Sequence, residues 1–285
     1  MDERDFLAYF NQPEFKELLN KYEAMLSSGH RCFFEADELT DIAEYYATNH
    51  QEERANSAIE YALTLHPDSV DPLVFKSRTE MLNGRLDRAK QIADSINDQT
   101  DREVIFLHAE IMLCDITVDP ENVSSYLEDQ LQIEKDDFED CYTLALDVVD
   151  LFMDYNVYTI ALRWGKQMLN YASKARLSDT ISARNKVAIC LRECNQIKEA
   201  ITLFNEILDE DPYYAKAWYN LGIAYYEQEE YNDAIDAMNY ALAIEVDFMD
   251  AVFWKGKSYA SLGNHDEANR CYERCLEAGC SDFFM

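Results

Sequence analysis

Residues 215–248, AKAWYNLGIAYYEQEEYNDAIDAMNYALAIEVDF, contain the local features that decide the fold. Trp218 and Tyr225 lie seven positions apart, so a helix would place both on one face. Gly222 costs some helix stability but allows a neighbouring helix backbone to approach closely. Ala234 opens the second apolar pattern of the segment with another small side chain. The segment therefore predicts two antiparallel helices that cross at close range.

Small or β-branched residues recur along the whole chain at nearly constant steps. The steps are 34, 34, 38, 39, 34 and 34 positions, between Ala55, Ala89, Val123, Ala161, Ala200, Ala234 and Ala268. A close crossing of two helices tolerates only a small side chain at the point of contact. A period of 34 residues is typical of the tetratricopeptide repeat, in which each unit is two antiparallel helices.

The segment at 215–248 also resembles the consensus of that repeat family in its residues. The matching positions are Trp218, Leu221, Gly222, Tyr225, Ala234, Met238 and Ala241. The turn, Glu229-Glu230, departs from the family pattern because a glycine is more usual there. The resemblance implies an all-α fold, an α-solenoid that forms a right-handed superhelix of about seven helix pairs with an N-terminal capping helix.

The same register divides the chain into four parts. Residues 1–35 are predicted to hold the capping helix, with an apolar stripe of Phe15, Leu18, Leu19, Tyr22 and Leu26. Repeat units 1–3 occupy 36–138, the third being degenerate, a divergent unit 4 occupies 139–180, and units 5–7 occupy 181–282. The longer steps predict extra loop residues on both sides of unit 4, near 134–137 and 174–177.

Charge excludes several classes of partner. The chain has 56 acidic and 25 basic residues, and its net charge is −31. Such a surface repels phosphate backbones and anionic lipids, so we expect neither a nucleic acid nor a membrane as partner. The N-terminus carries no secretory signal pattern and no stretch of 18 apolar residues occurs. We therefore predict a cytoplasmic protein.

No residue pattern indicates catalysis. The catalytic and nucleotide-binding signatures G-x-S-x-G, H-E-x-x-H, G-x-G-x-x-G and the P-loop do not occur in the sequence. The eight cysteines form no C-x-x-C pair and the five histidines are scattered, so we expect buried free thiols and no metal site. The prediction is a protein that is not an enzyme and uses no cofactor.

The family architecture implies a binding groove lined by the first helix of each repeat. In the C-terminal half its outward positions hold a basic and aromatic set that we predict to bind a peptide: Lys186, Ile189, Arg192, Lys216, Tyr219, Asn220, Ile223, Tyr226, Phe253, Trp254 and Lys257, with Asn185 beside them. In this hypothesis Asn220 bonds a peptide backbone, Tyr219 and Trp254 supply apolar contact, and the cations meet acidic groups.

Other groove positions are acidic. The N-terminal half offers Asp37, Thr40, Asp41, Glu44, Phe75, Arg78 and Met81, and the fourth unit offers Asp147, Asp150, Met153 and Asp154. The family's clamp for acidic chaperone C-termini needs a basic pair in the last unit, where Asp250 and Trp254 stand, so that function is rejected. The sequence thus favours a scaffold or adaptor that binds a peptide or protein.

Two alternatives stay open. One is a self-associating structural module, a homodimer through the C-terminal face and the trailing Phe283-Phe284. The other is a regulatory part of a larger multidomain protein.

Overall fold

A computed structural model of the chain describes residues 8–131, 137–178 and 180–280. All regular secondary structure in these ranges is α-helical, which confirms the all-α prediction. Contacts divide the chain into two compact units, residues 1–132 and 133–285. Unit 1 holds helices α1 to α7: Pro13–Ser28, Ala36–Thr48, Glu52–Leu65, Val70–Leu82, Leu86–Ser95, Arg102–Cys114 and Pro120–Leu131.

Unit 2 holds helices α8 to α15. They are Phe138–Asp154, Tyr158–Ala175, Ile181–Glu193, Ile197–Glu210, Ala215–Glu227, Tyr231–Ile244, Met249–Ser261 and His265–Glu277. In both units successive helices pack as antiparallel pairs, α2 with α3 through α14 with α15, and each first helix within a unit also contacts the first helix of the next pair. This is the helix-pair stacking of an α-solenoid; the number of repeats and the hand of the superhelix stay predictions.

The recurring small residues belong to the buried core. All seven are buried, with exposures between 0% and 3%. A Cβ atom added to Gly222 would come within 2.6 Å of Met238 Cε and 3.2 Å of the Ala234 carbonyl oxygen. Met238 Cε is the end of a flexible side chain and can move, but the Ala234 carbonyl belongs to the backbone of α13, so that backbone lies close to Gly222.

A single left-handed residue closes the turn inside every described helix pair except α6–α7. These residues are His50, Gly84, Asn156, Asn195, Glu229 and Gly263, with φ between 57° and 77°. Glycine reaches this conformation without steric cost, whereas in other residues the Cβ atom comes too close to the following carbonyl oxygen. The turn predicted at Glu229 is confirmed, and it contains a residue that is poorly suited to its backbone.

The longer steps around the fourth pair arise mainly from longer helices. α8 has 17 residues and α9 has 18, against 13 and 14 in the next pair. Four extra residues make about one more helical turn. The prediction of extra loop residues near 174–177 was therefore mostly wrong, because apolar spacing continues through Phe152 and Ala172, which are buried. Residues 134–136 of the other predicted loop lie outside the described ranges.

Helix α1 covers the start of unit 1 with aromatic side chains. Phe15, Tyr22 and Met25 are buried, and Leu18 and Leu19 pack on the same cluster. The predicted stripe was wrong at Leu26, which is 55% exposed, because Met25 takes the inward position one residue earlier. Phe283 and Phe284 lie outside the described residues, and the predicted division into repeat groups stays a prediction.

Candidate interaction surfaces

The predicted groove residues of the C-terminal half all lie on first helices of unit 2. α8, α10, α12 and α14 lie next to one another in that order. The helix α10 carries Lys186, Ile189 and Arg192; α12 carries Lys216, Tyr219, Asn220, Ile223 and Tyr226; and α14 carries Phe253, Trp254 and Lys257. We call the side of α10, α12 and α14 that these residues define the first-helix surface.

Aromatic rings of the first-helix surface gather around one ammonium group. Lys257 Nζ lies 3.8 Å from the ring centroid of Trp254 and 5.2 Å from that of Tyr226. The Tyr226 and Trp254 rings meet edge to face at 5.3 Å. Phe253 lies farther out, 5.9 Å from Lys257 Nζ. All four side chains are half-buried, so they keep accessible area that can receive a ligand.

Tyr219 extends this cluster along α12, one turn before Ile223. Its ring centroid lies 4.8 Å from that of Phe248. Burial, with the nearby Asp250 charge, raises the pKa of the Tyr219 hydroxyl to about 12, while Arg192 and a hydrogen bond with Trp254 oppose the shift. The hydroxyl is therefore un-ionised at neutral pH and can donate a hydrogen bond.

Two predicted cations already have partners within unit 2. Lys186 Nζ lies 2.5 Å from Asp150 Oδ1. The Arg192 guanidinium pairs with Glu193 and lies 3.9 Å, from Nε to Oε1, from Glu227. The first-helix surface is therefore less basic than its own residues suggested, because carboxylates on α8, α10 and α12 neutralise part of its charge. Lys216 is exposed at the start of α12.

Asn220 is buried, with 8% of its surface exposed. Its amide nitrogen donates to the Lys216 carbonyl at 2.8 Å and to Asn185 Oδ1 at 3.4 Å. The bond to Asn185 ties α12 to α10, so the amide nitrogen has a structural role in the protein itself. Ile223 is buried in the apolar cluster around α12, and Ile189 is half-buried.

A cleft of about 800 Å³ opens in unit 1, and we call it the acidic cleft. It contains most of the N-terminal groove positions read from the sequence. The lining residues are Asp37, Thr40, Asp41, Glu44, Ala47, Thr48, Glu52, Ala55, Asn56, Asp71, Val74, Phe75, Arg78, Thr79, Leu82, Asn83 and Glu103. Helices α2 and α4 supply most of them, so the cleft also lies on first helices.

Carboxylates in the acidic cleft perturb one another. Burial raises the pKa of Glu44 to about 7; the charges of Asp41, Glu103 and Asp71 add to the shift and Arg78 opposes it. Burial likewise raises the pKa values of Asp41 and Asp71. Sequence reasoning placed Asp41 and Glu44 on a groove but did not name Asp71 or Glu103. It missed the crowding of these carboxylates because the sequence of one helix does not give its distance from another helix.

Metal binding and membrane insertion have no candidate site in the described parts of the chain. Nowhere in them do three or more His, Cys, Asp or Glu side chains gather so as to hold a metal ion. None of their helices combines the length and apolar character that a membrane span requires. All eight cysteines are free, but only Cys141, Cys190 and Cys275 are buried and Cys114 is exposed. The prediction of buried thiols was therefore wrong for the others.

Sequence models of the tetratricopeptide repeat match residues 191–247 and residues 250–278. Both matches fall in unit 2. They include α11 to α15, and with them two of the three helices that form the first-helix surface.

One curated protein is related over a limited stretch. The general transcriptional corepressor ssn6 of Schizosaccharomyces pombe is 32% identical over 114 residues, which are 39% of this chain and 10% of that protein. The aligned stretch is thus a tenth of the length of that relative.

Several solved structures resemble the chain at low identity. PilW, described as a widely conserved type IV pilus biogenesis factor, is 16% identical, with coverage of 85% of this chain and 92% of PilW and a TM-score of 0.49. MamA of Desulfovibrio magneticus RS-1 is 20% identical, with coverage of 66% and 98% and a TM-score of 0.47. YrrB, described as a TPR protein with an unusual peptide-binding site, is 18% identical, with coverage of 68% and 96% and a TM-score of 0.40.

Proposed function

Because this chain is a tetratricopeptide-repeat protein, we propose that it is a non-catalytic scaffold or adaptor that holds an extended peptide or a partner helix on the first-helix surface of unit 2. Interaction with other proteins is the function that the repeat family suggests, and the choice of surface comes from this chain's own residues. The proposal places the protein in the cytoplasm, where its eight free cysteines stay reduced.

The aromatic cluster around Lys257 is the observation that carries the proposal. Tyr219, Tyr226 and Trp254 come from two neighbouring first helices and keep part of their rings accessible. Tyrosine and tryptophan dominate the energetics of protein interfaces because they bury large area at a small cost in conformational entropy. Half-buried rings on adjacent helices are therefore suited to grip an apolar side chain of a peptide.

Charge orients the proposed peptide. Since Lys186 and Arg192 are paired with carboxylates, Lys216 and Lys257 are the groups that would meet an acidic residue of the ligand. Asp250 and Glu227 border the same surface and would repel additional acidic residues. The expected ligand is an apolar or aromatic segment with few negative charges.

A selection experiment tests the proposal. The full chain is immobilised and panned against a displayed library of random peptides, and the affinity of the best binder is measured by calorimetry. Tyr219→Leu combined with Trp254→Leu keeps apolar but smaller side chains and removes the flat rings. It should weaken binding about tenfold, which corresponds to about 1.4 kcal/mol.

The control removes two aromatic rings elsewhere in unit 2. Tyr213 is 79% exposed in the loop before α12, and Tyr240 is 56% exposed on the second helix α13. Tyr213→Leu combined with Tyr240→Leu should change the affinity less than about twofold. Equal loss in both double variants, or a library that yields no specific binder, would contradict the proposal.

Self-association through the C-terminal face stays a prediction. Light scattering on the full chain and on a version that ends at Gly279 tests it directly. A monomer in both samples would rule out the homodimer.

A further inference from the structure

The acidic cleft of unit 1 has a lining unlike that of the first-helix surface, and it suggests a second ligand. We propose that the acidic cleft docks a basic amphipathic peptide segment, whose Lys or Arg side chains meet the carboxylates while its apolar side chains lie on the floor of the cleft. This inference goes beyond the proposed function, because it concerns another surface and a ligand of opposite charge.

Charge in the acidic cleft is largely uncompensated. Among its lining residues six are carboxylates, Asp37, Asp41, Glu44, Glu52, Asp71 and Glu103, and one is a cation, Arg78. Arg78 is already engaged, because its Nε and Nη2 atoms donate to the two carboxylate oxygens of Glu110 at 2.9 and 2.7 Å, and Nη2 lies 3.3 Å from Glu103. A cationic ligand would therefore meet Asp37, Asp41, Glu44, Glu52 and Asp71, because among the lining carboxylates Arg78 forms an ion pair with Glu103 alone.

The floor of the cleft is apolar. Val74 is buried, Phe75 is half-buried, and Leu82 is 90% exposed at the edge. Lysine and arginine side chains lay their methylene groups along such surfaces while their charged ends reach polar groups. A volume of about 800 Å³ falls in the range of sites that enclose a ligand rather than a single ion.

This combination favours a peptide over other cations. No three carboxylates of the cleft, all of them described residues, are grouped so as to hold a metal ion, so a divalent ion has no ready site. A polyamine carries the charge but has no side chains to place on Phe75 and Leu82. Nucleic acid has the wrong sign of charge. An amphipathic basic segment can contact the carboxylates with its cationic side chains and the apolar floor with its apolar side chains.

Electrostatic coupling predicts how such binding varies with pH. Burial raises the pKa of Glu44 to about 7, and the charged groups that face it are Asp41, Glu103 and Asp71, with Arg78 opposing. A docked cation favours the ionised carboxylate and lowers that pKa. Binding should therefore be tighter at about pH 8 than at about pH 5.5, where Glu44 is protonated.

The probe is a short fluorescent peptide of alternating Lys and Leu pairs, titrated with the full chain by anisotropy at about 0.1 M salt. Two further probes replace every Lys by Glu or every Leu by Ser, and spermine is added as a competitor. We expect the Glu probe not to bind, the Ser probe to bind about tenfold more weakly, and spermine to compete poorly. A Ser probe that binds as well, or full displacement by spermine, would overturn the proposal in favour of unspecific attraction of polycations.

Charge-matched variants locate the binding. Asp41→Asn with Glu44→Gln should weaken it about tenfold, and so should Asp37→Asn with Asp71→Asn, which alters two exposed residues and keeps the fold. The control, Glu14→Gln with Glu17→Gln, removes the same charge from exposed positions of α1 outside the cleft.

Equal losses in the cleft and control variants would show that net charge alone attracts the peptide, and would overturn the proposal. The Tyr219 and Trp254 variants of unit 2 should leave this binding unchanged. Failure here and failure of the proposed function are therefore separate results.

Discussion

Glu229 occupies a left-handed backbone conformation, with φ of 63°, in the turn between α12 and α13. Glycine occupies the corresponding turn at Gly263, one repeat later, with φ of 77°. Because a Cβ atom is strained there, Glu229→Gly should stabilise the protein by about 0.5 to 1 kcal/mol, after the entropy that glycine adds to the unfolded chain. Urea denaturation measures this gain.

The neighbouring Glu230 supplies the control for that substitution. Its φ is −85°, an ordinary value for any residue. Glu230→Gly removes the same charge but relieves no strain, so it should lower stability by about 0.5 to 1 kcal/mol. Equal effects of the two substitutions would mean that charge, and not backbone strain, is responsible.

Glu44 makes the stability of unit 1 depend on pH. Burial raises its pKa from 4.5 to about 7 in the folded protein, so the folded chain keeps a proton that the unfolded chain releases across this interval. The stabilising contribution of that proton is fully present below about pH 4.5 and is lost as pH rises through about 7. Glu44→Gln should therefore raise the urea midpoint at about pH 8 and leave it nearly unchanged at about pH 4. A gain of equal size at both pH values would contradict the assigned pKa.

The ion pairs of Lys186 and Arg192 show what could not be predicted about the site from the sequence. The sequence placed Lys186 and Arg192 on the outward side of α10; both lie on that helix, and both are half-buried. It did not pair them with Asp150, Glu193 and Glu227, because those pairings depend on rotamers and on distances between helices. The charge of a surface was therefore harder to predict than the positions that form it.

At the scale of the element, the recurring small residues set how closely two helices pack. Ala234 is fully buried beside Gly222 at the crossing of α12 and α13. Ala234→Leu should overpack that contact and cost about 2 to 3 kcal/mol. Ala243→Leu, at an exposed site on the same helix, should change stability by less than about 0.5 kcal/mol. Thermal unfolding followed by circular dichroism compares the two, and similar melting temperatures would contradict the role given to Ala234.

Helix α1 contributes to unit 1 through few but large contacts. Phe15 is 1% exposed, with its ring centroid 4.8 Å from that of Phe10 and 5.4 Å from that of Tyr45. Phe15→Ala should destabilise the protein by about 3 to 4 kcal/mol, because it empties a packed aromatic site. Leu26→Ala, on the exposed side of the same helix, should cost less than about 0.5 kcal/mol. Equal losses in chemical denaturation would place Leu26 in the core after all.

Elements were predictable wherever their spacing was regular. The 34-residue step located the pairs α2–α3, α4–α5 and α10 to α15, because each pair repeats the same crossing and the same turn. The step failed to predict the form of the fourth pair, since an extra interval of four residues can lengthen a helix by one turn or a loop by four residues. Phe152 and Ala172 are buried within the added turns, which shows that the helices of this pair are longer.

At the scale of the whole molecule, stacking of helix pairs explains why the fold could be read from the sequence and the partner could not. Each pair in a solenoid depends mainly on its neighbours, so a periodic pattern is enough to specify it. A ligand contacts surface side chains that the fold does not fix, so the fold alone does not identify the ligand. With a net charge of −31, any surface of this chain attracts cations, and only charge-matched controls separate a site from that background.

Hydrogen exchange of the full chain, with and without the selected peptide, tests the central claim that first helices form the binding surface. The claim predicts slower exchange on binding in residues 215–227 and 249–261, with little change in the second helices 231–244 and 265–277. Slower exchange confined to the second helices would contradict it.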